Sequence, residues 1–358
     1  MGSVKDLEVI EKPTPTKMGI GRFHFSDRYS VFDWGEMPDH IEGKGAALCL
    51  MGAHCFEKLE ERGIRTHYRG VVDGRGRVVR FEELQEPSRI MEIHLVNVYR
   101  PKAYLEGGKL RYDYTVYRPS LRNYLLPLEI IYRNGLPEGS SVFKRLQQGL
   151  VTLQDLGLDH MPKPGERLAR PIFEVSTKLE EGDRYISWRE AREIAGLTDR
   201  EVEEVKSLLL RVDEVITEIA QRAGMVNEDG KIELAFDPER RLMVVDVVGT
   251  LDECRFTYEG IHVSKEVARF YYRKTEWYLD TERAKREAAE KGVENWKSLC
   301  RLEPPRLDPQ LRKIVSQMYM AAANALTGRR MFEVPNLREV VRAYREYAED
   351  RDLREGKG

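Results

Sequence analysis

Apolar and polar positions repeat with a helical period in several segments of the chain. In 198–222 the apolar residues fall three or four positions apart, and Thr198 followed by Glu201 forms a capping-box pattern at the start of a helix. The same period recurs in 310–326, where Gly328 provides a typical helix end. The predicted helices are 46–62, 198–222 and 310–326.

Other segments carry the patterns of strands. The run 125–132 is nearly all apolar, which predicts a strand covered on both faces. Two apolar segments, 231–236 and 242–248, flank a turn at 237–240 and predict a hairpin. Strands are also predicted at 22–31, 93–99 and 110–117, with a loop at 33–45. Strands followed by a long helix, a hairpin and further helices are typical of an α+β fold.

Composition narrows the possible partners. The chain has 358 residues, and its 59 basic residues nearly cancel its 61 acidic ones. That balance argues against a nucleic-acid partner, which requires a basic excess on one surface. The sequence has no apolar run of membrane-spanning length and no signal-peptide pattern near its first residue. We therefore expect a cytoplasmic protein without a membrane partner.

Cysteine usage agrees with a reducing compartment. The four cysteines are scattered, and none lies in a CxxC pair or near a histidine at zinc spacing. They are Cys49, Cys55, Cys254 and Cys300.

Candidate chemistry concentrates on the predicted hairpin. Lys231 and Glu233 lie two positions apart and therefore project from the same face of a strand. Asp246 follows a strongly apolar segment, where a carboxylate is costly to bury unless it meets a cation. Glu233 and Asp246 could hold Mg²⁺, with Lys231 contacting phosphate. The alternative is a solvent-exposed hairpin edge on which Lys231 and Glu233 simply pair.

These residues resemble a pattern of the SAICAR synthetase family. The pattern DxKxE…D…DxxR is matched by Asp229, Lys231, Glu233, Asp246, Asp252 and Arg255. Further blocks resemble family segments in the same order along the chain. They are SDRYSVFD (26–33), IEGKG (41–45), FEKL (56–59), LPLEIIYR (126–133), GS (139–140) with KR (144–145), PIF (171–173) with STK (176–178), VSK (263–265), EPPRL (303–307) and LTG (326–328).

The resemblance implies a two-lobed α+β fold of the longer family type, with the site between the lobes. It implies an N-terminal antiparallel β lobe with one helix at 1–90 and an ATP-grasp-like catalytic lobe at 91–275. A C-terminal helical extension would occupy 276–358.

The resemblance also implies a reaction. The carboxylate of carboxyaminoimidazole ribotide (CAIR) would be joined to the amine of L-aspartate, giving SAICAR, ADP and phosphate in de novo purine biosynthesis. CAIR and L-aspartate would be the substrates, ATP and Mg²⁺ the cofactors, and a homo-oligomer is left open.

Lys231 would act near the nucleotide, and Asp252 would orient Arg255. The implied catalytic residues are Arg133, Lys231, Asp252 and Arg255, and the implied metal ligands are Glu233 and Asp246. The implied substrate contacts are Ser30, Asp33, Lys44, Arg133, Ser140, Lys144, Arg145, Asp183 and Arg255.

Two departures from the family pattern leave alternatives open. The glycine-lysine hairpin that covers the ATP phosphates is matched only loosely at 17–23, and we expect nucleotide contacts from Lys17, Gly19, Gly21 and Arg22. In the segment 181–184, Asp183 lacks the family's preceding histidine and is followed by Arg184, whose charge in the pocket would favour a different acid. The alternatives are a diverged paralogue that ligates another amine and carboxylate, or a non-catalytic nucleotide-binding member. The retained pattern from Lys231 to Arg255 argues against the latter.

Several residues also have purely structural interpretations. Asp27 and Arg28 could pair with each other, Lys44 could be structural, and Lys144 with Arg145 could form a solvated helix face. Packing is the expected role of four aromatic residues, Tyr271, Tyr272, Trp277 and Tyr278.

Overall fold

The computed structural model describes the chain in five ranges. These are residues 4–107, 109–137, 139–180, 182–293 and 295–351. Gly108, in the turn before the predicted strand 110–117, and Glu181, in the segment 181–184, lie outside these ranges. So do residues 1–3 of the first predicted domain and residues 352–358 of the third.

Within the described ranges, the N-terminal strands form one antiparallel sheet in the order β1-β2-β5-β3-β4. Helix α1 (Lys44–Glu61) packs against it and agrees with the helix predicted at 46–62. The strands are β1 (Lys5–Glu11), β2 (Gly19–Phe25), β3 (Tyr68–Val72), β4 (Val78–Val79) and β5 (Ile90–Leu95).

The strand predicted at 22–31 is wrong beyond Phe25, where β2 ends. Phe32 and Asp33 have φ values of 55° and 62°, in the left-handed region that an extended strand does not contain. Residues 26–43 therefore form a loop, and it leads directly into α1.

A separate two-stranded hairpin follows, made of β6 (Lys102–Glu106) and β7 (Lys109–Asp113). The described chain then forms a second antiparallel sheet in the order β10-β9-β8-β11-β13-β14, and β12 pairs with the far end of β11. Its strands are β8 (Tyr124–Leu136), β9 (Glu166–Thr177), β10 (Tyr185–Ile186), β11 (Val226–Phe236), β12 (Leu242–Val245), β13 (Cys254–Tyr258) and β14 (Ile261–Val263).

The position of β11 decides between the two interpretations of the hairpin. Its neighbours are β8 on one side and β12 with β13 on the other, so the exposed-edge alternative is wrong. The adjoining β8 is buried over most of its length, as the apolar run predicted.

The remaining helices cover the sheets and complete the core. They are α2 (Ser141–Gln147), α3 (Trp188–Ile194), α4 (Asp199–Arg222), α5 (Glu266–Arg273), α6 (Glu276–Lys291), α7 (Pro309–Thr327) and α8 (Leu337–Asp350). Helix α4 begins with the predicted capping box of Thr198 and Glu201, and α7 ends at Gly328 in the left-handed conformation. Mixed helices and antiparallel sheets confirm the α+β prediction.

One hydrophobic core extends through both sheets and the C-terminal helices. It runs from Phe23 in β2 to Ala348 in α8, and includes buried residues of α1, α4 and α7. Tyr272 and Trp277 belong to it, so the packing role predicted for them is confirmed. None of the helices that the structure describes has both the length and the apolar character required to cross a bilayer.

Candidate functional site

Two neighbouring cavities lie along the central strands of the second sheet. The first has a volume of about 240 Å³ and is largely apolar, with two carboxylates at one end. It lies between β1, β2 and β5 of the first sheet and β8, β11 and β12 of the second. Its lining is Leu7, Val9, Pro13, Phe23, His67, Ile93, His94, Leu95, Val96, Val98, Leu125, Val245, Glu233 and Asp246.

The second cavity is polar and has a volume of about 450 Å³. Its walls come from β8, β9, β11, β13, α5 and the loops around them. The charged residues of its lining are Asp33, Glu129, Arg133, Asp183, Asp229, Lys231, Asp252, Glu253, Arg255, Lys265 and Arg269.

A row of alternating charges connects the two cavities. Glu129 in β8 and Glu233 in β11 are directly paired positions of the sheet, and the Lys178 ammonium lies 2.8 Å from one carboxylate and 2.7 Å from the other. The Lys231 Nζ contacts Glu129 at 2.7 Å from the polar side. Burial opposes charge on Glu129, but Lys231 and Lys178 lower its pKa to about 2. Glu129 therefore stays ionised.

At the apolar cavity lie two partly buried carboxylates, Glu233 with a side chain 13% exposed and Asp246 with one 22% exposed. Lys5 at the start of β1 reaches Asp246, with Nζ 2.8 Å from Oδ1. Burial works against the charge of Asp246, but Lys5 and Lys178 keep its pKa below the usual range. Burial and the neighbouring Asp246 raise the pKa of Glu233 to about 7.

These two carboxylates suit a divalent cation that also binds a ligand. Burial and the like charge of Asp246 both oppose ionisation of Glu233, even with Lys178 at 2.7 Å, and a bound cation would offset that cost. Over the described residues, no group of three or more His, Cys, Asp or Glu side chains is arranged to hold a metal. An ion here would therefore take its other ligands from water and phosphate, as Mg²⁺ commonly does.

In the polar cavity, Asp229 holds two arginines. Arg133 Nη1 lies 3.0 Å from Asp229 Oδ2, and the Arg255 Nε lies 2.9 Å from Asp229 Oδ1. Glu174 binds the other side of Arg133 at 2.6 Å. The expectation that Asp252 orients Arg255 is therefore wrong: Asp229, which pairs with Arg255 across β11 and β13, has that position.

Asp252 binds elsewhere. Its Oδ2 accepts a hydrogen bond from Lys44 Nζ at 2.7 Å, and its Oδ1 accepts one from the Tyr319 hydroxyl at 2.6 Å. Burial opposes the charge on Asp252, but Lys44, Lys265 and the Tyr319 hydroxyl hold its pKa at about 2. Lys44 is only 1% exposed and lies behind the cavity wall instead of facing the cavity.

Asp183 and its neighbour Arg184 point in different directions. Asp183 lies at the rim of the polar cavity, where loss of solvation and the nearby Glu129 raise its pKa to about 6. Arg184 instead pairs with Glu180 at 3.2 Å and with Glu190 at 2.8 Å. The expectation of an added positive charge in the pocket is wrong, because these two carboxylates hold the guanidinium outside it.

Two of the predicted substrate contacts, Ser30 and Asp33, lie in the loop 26–43, and the structure brings Asp33 but not Ser30 to the polar cavity. Asp33 borders the polar cavity and pairs with Lys285 of α6 at 3.0 Å. Ser30 lies outside the cavity lining, and its Oγ accepts a hydrogen bond from the Gly35 amide. The predicted pairing of Asp27 with Arg28 is wrong. Their partners are Arg89 for Asp27 and Asp6 for Arg28.

The segment around α2 places Gly139 at the polar cavity, whereas its two basic side chains, Lys144 and Arg145, are not part of the cavity lining. Gly139 borders the cavity, and Ser140 caps α2 by accepting a hydrogen bond from the Val142 amide. Arg145 binds Glu174 at 2.6 Å. Lys144 is not brought to the cavity, because it lies on the exposed face of the short helix, 3.7 Å from Glu282.

The predicted nucleotide contacts at 17–23 are not brought to the apolar cavity. Lys17 pairs with Glu11 at the exposed end of the β1–β2 connection. Arg22 faces away from the cavity, since neighbouring strand residues point to opposite faces and Phe23 lines it. Its guanidinium binds Glu92 at 3.1 Å.

Gly19 and Gly21 have a packing explanation instead. A Cβ on Gly19 would lie 2.2 Å from the Glu11 carbonyl oxygen, and one on Gly21 would lie 2.9 Å from the Glu8 carbonyl oxygen. Both glycines let β1 approach β2 closely, and β1 carries Lys5 into the site.

Sequence reasoning missed Lys5, Glu129 and Lys178 as site residues. Glu129 and Lys178 stand inside two of the blocks that carried the resemblance, LPLEIIYR and STK, so a signal was present. Lys5 lies before every block that was recognised, and its contact with Asp246 depends on how the two sheets meet.

The comparisons with known proteins agree on one family. The sequence model described as SAICAR synthetase matches residues 13–285. A protein of Archaeoglobus fulgidus is 52% identical over 349 residues, covering 98% of this chain and 100% of the relative. That relative is provisionally named phosphoribosylaminoimidazole-succinocarboxamide synthase.

Solved structures show the same fold at lower sequence identity. The SAICAR synthase from Saccharomyces cerevisiae, complexed with SAICAR, is 21% identical with a TM-score of 0.59 and covers 92% of this chain and 93% of its own. A type-2 SAICAR synthetase in complex with ADP is 22% identical with a TM-score of 0.54, covering 86% of this chain and 99% of its own.

Proposed function

Because the chain belongs to the SAICAR synthetase family, we propose that it joins the carboxylate of CAIR to the amine of L-aspartate in an ATP-dependent reaction of purine biosynthesis. The products are SAICAR, ADP and phosphate. The observation that carries this proposal is the charged row of Glu129, Lys178 and Glu233, which joins the apolar cavity to the polar one. A phosphoryl group must pass between a nucleotide and a carboxylate, and this row lies between the two sites.

The apolar cavity is suited to the nucleotide. Its lining from β1, β5 and β12 takes an aromatic base, and the phosphates then extend toward Glu233 and Asp246. Lys5 and Lys178 supply positive charge to the phosphates. Glu233 and Asp246 would hold Mg²⁺, which when bound would neutralise the charge that develops on the transferring group. A solved relative with ADP supports a nucleotide in this fold.

The polar cavity is suited to anionic substrates. CAIR carries a phosphate and a carboxylate, and aspartate carries two carboxylates. Asp229 holds Arg255 through Nε and Nη2, so the remaining N–H groups of Arg255 are pre-arranged for such groups. Arg133 is 3% exposed and binds Asp229, Glu174, Ser141 and Tyr185, so it supports this wall mainly from behind. Lys265 and Arg269 add positive charge on the α5 side of the cavity. A yeast relative complexed with SAICAR supports this class of ligand.

The residues then act as positioning and electrostatic groups. Lys231 and Lys178 hold the carboxylate of the ribotide beside the terminal phosphate of ATP, where a carboxylate oxygen attacks phosphorus and ADP leaves. The amine of aspartate then attacks the carbon of the acyl phosphate, phosphate leaves, and the nitrogen loses a proton as the amide forms. Enclosure between the two sheets limits hydrolysis of the activated carboxylate. The alternative, a paralogue that uses another acid, was favoured by the expected charge of Arg184 in the pocket. Because Arg184 is paired outside the cavity, the structure no longer gives that support.

The test is phosphate release from ATP and Mg²⁺ with CAIR, measured with and without L-aspartate. We expect aspartate-dependent turnover in the wild type and a loss of about hundredfold in Glu233→Gln, since a charged group at the transferring phosphate is removed. Glu239→Gln is the matched control, because Glu239 lies in the turn of the same hairpin and its exposed carboxylate pairs with Arg241 at 2.9 Å. A folded, ADP-binding wild type that released no aspartate-dependent phosphate would contradict the proposal.

A further inference from the structure

Helix α7 packs behind the wall of the polar cavity and belongs to a part of the chain beyond the residues 13–285 that the family model matches. The Tyr319 hydroxyl donates a hydrogen bond to Asp252 Oδ1 at 2.6 Å. The other oxygen of the same carboxylate, Oδ2, lies 2.7 Å from Lys44 Nζ. Asp252 borders the cavity, so Tyr319 contacts a cavity residue from behind.

Tyr319 contacts both members of this ion pair. Besides its hydrogen bond to Asp252, its ring lies 5.4 Å from the Lys44 ammonium, within the range of a cation–π contact. Lys44 and Tyr319 are both 1% exposed, so bulk water does not replace either contact. A buried ion pair of this kind depends on additional hydrogen bonds to satisfy its remaining lone pairs.

The position of Tyr319 is fixed relative to the start of α1. One turn earlier, the Ser316 hydroxyl donates to the Glu42 carbonyl oxygen at 2.7 Å. One position later, Met320 packs so closely on Gly43 that an added Cβ there would lie 2.5 Å from the Met320 sulfur. Gly43 precedes Lys44, the first residue of α1. Helix α7 therefore sets where Lys44 and Asp252 lie.

We propose that Tyr319 is a positioning residue for the ligase reaction, whose hydroxyl holds the Asp252 carboxylate, and through it Lys44, in place behind the substrate cavity. This inference rests on the proposed function. Without the hydroxyl, one carboxylate oxygen of Asp252 has no donor, and the carboxylate can rotate away from Lys44. Lys265, which shares the cavity wall with Asp252, then loses a fixed counter-charge.

The first experiment compares steady-state kinetics of the wild type and Tyr319→Phe, which keeps the ring and removes only the hydroxyl. We expect kcat to fall about tenfold, equivalent to about 1.4 kcal/mol. The KM for ATP should stay within about twofold, because Asp252 borders the polar cavity and not the apolar one.

Tyr68→Phe is the matched control. The Tyr68 hydroxyl also donates to a buried carboxylate, Glu57 Oε1 at 2.8 Å, but neither residue borders either cavity. Both variants lose a buried tyrosine–carboxylate hydrogen bond, so a purely structural role predicts equal effects on stability and on kcat. Equal kcat values for the wild type and Tyr319→Phe, or equal losses in both variants, would overturn the proposal.

A second readout does not depend on turnover. Acetylation of Lys44 by a small reagent, followed by mass spectrometry, reports how firmly its ammonium is held. We expect Tyr319→Phe to raise the Lys44 labelling rate at least about threefold and Tyr68→Phe to leave it unchanged. If the wild type shows no aspartate-dependent turnover, the proposed function fails, and the labelling decides the role of Tyr319 by itself. Unchanged Lys44 labelling in Tyr319→Phe would overturn that role.

Discussion

At the scale of single residues, the charge on Lys265 depends on pH near neutrality. Burial, followed by the charges of Arg269 and Lys231, lowers its pKa to about 8, while Asp252 and Glu253 act in the opposite direction. Its ammonium form therefore predominates below about pH 8 and is lost as pH rises through that value. If Lys265 binds an anionic substrate group, kcat/KM for that substrate falls over the same range.

The pH prediction can be tested with Lys265→Arg. We expect the alkaline fall of kcat/KM for CAIR to begin near pH 8 in the wild type and to move higher in the variant, because a guanidinium stays protonated. The measurement is the profile of kcat/KM from about pH 6 to about pH 10. Deprotonation of the aspartate amine would raise the rate over this range, so the two effects have opposite signs. An alkaline limb that stays in place in Lys265→Arg would exclude Lys265 as its origin.

Two lysines distinguish the nucleotide site proposed at the apolar cavity from the one expected from the sequence. Lys5 reaches Asp246 beside the apolar cavity, whereas Lys17 pairs with Glu11 at an exposed end. We expect Lys5→Met to weaken ADP binding about tenfold, about 1.4 kcal/mol, and Lys17→Met to leave it within about twofold. Isothermal titration calorimetry gives both affinities. The reverse ranking would restore the original assignment of Lys17.

The sequence identified residues whose arrangement depends on neighbours in the chain, and missed residues whose arrangement depends on contacts between distant strands. Lys231 and Glu233 were predicted to share one face because strand geometry fixes residues two apart. Lys178 lies between Glu129 and Glu233 only because β8 pairs with both β9 and β11. The Lys5–Asp246 contact depends on the meeting of two sheets. Periodicity along the chain contains no information about such long-range contacts.

At the scale of elements, the close approach of β1 and β2 is what carries Lys5 to the site. Gly19 lies so near the β1–β2 connection that a Cβ would fall 2.2 Å from the Glu11 carbonyl oxygen and 2.6 Å from the Pro13 nitrogen. Both are backbone atoms, so the chain itself must shift to accept a side chain.

We therefore expect Gly19→Ala to displace β1, weaken ADP binding about tenfold or more, and lower the free energy of unfolding by about 1–3 kcal/mol. Calorimetric titration and denaturant unfolding measure the two effects. The double variant Gly19→Ala/Lys5→Met should bind ADP no more weakly than the worse single variant, because both act through Lys5. Additive losses would show that Gly19 acts on the nucleotide independently of Lys5.

Element prediction succeeded where local chemistry decides the structure. Helices α4 and α7 were predicted because caps at Thr198 and Gly328 reinforce their apolar period. The strand predicted at 22–31 failed beyond Phe25 because the Asp27 and Tyr29 carbonyls accept hydrogen bonds from amides at 41 and 37 within the loop instead of joining the sheet. The backbone then turns at Phe32 and Asp33. Positive φ at two non-glycine residues is imposed by the surrounding structure, including the Lys285 contact to Asp33, and has no sequence signature.

At the scale of the whole molecule, the three predicted domains share one core. The boundary expected at residue 90 falls on the first residue of β5, a strand in the middle of the first sheet. The boundary expected at 275 separates α7 from α1, yet these helices pack against each other and Tyr319 completes the surroundings of Asp252. The C-terminal helices therefore form part of the fold that holds the site.

Because the two sheets and the C-terminal helices share one core, we expect them to unfold together in a single cooperative transition. Leu311 in α7 is fully buried in the cluster that also contains residues of both sheets, so Leu311→Ala should lower the free energy of unfolding by about 2–4 kcal/mol. Far-UV circular dichroism, tryptophan fluorescence and loss of ADP binding should follow a single denaturant transition, shifted together in the variant.

Leu279→Ala is the control, because Leu279 on α6 is 66% exposed and its truncation should cost less than about 0.5 kcal/mol. If the C-terminal helices were instead an independent domain, Leu311→Ala would unfold them in a separate, earlier transition while ADP binding survived, since the apolar cavity contains no residue of α7 or α8 among those that line it.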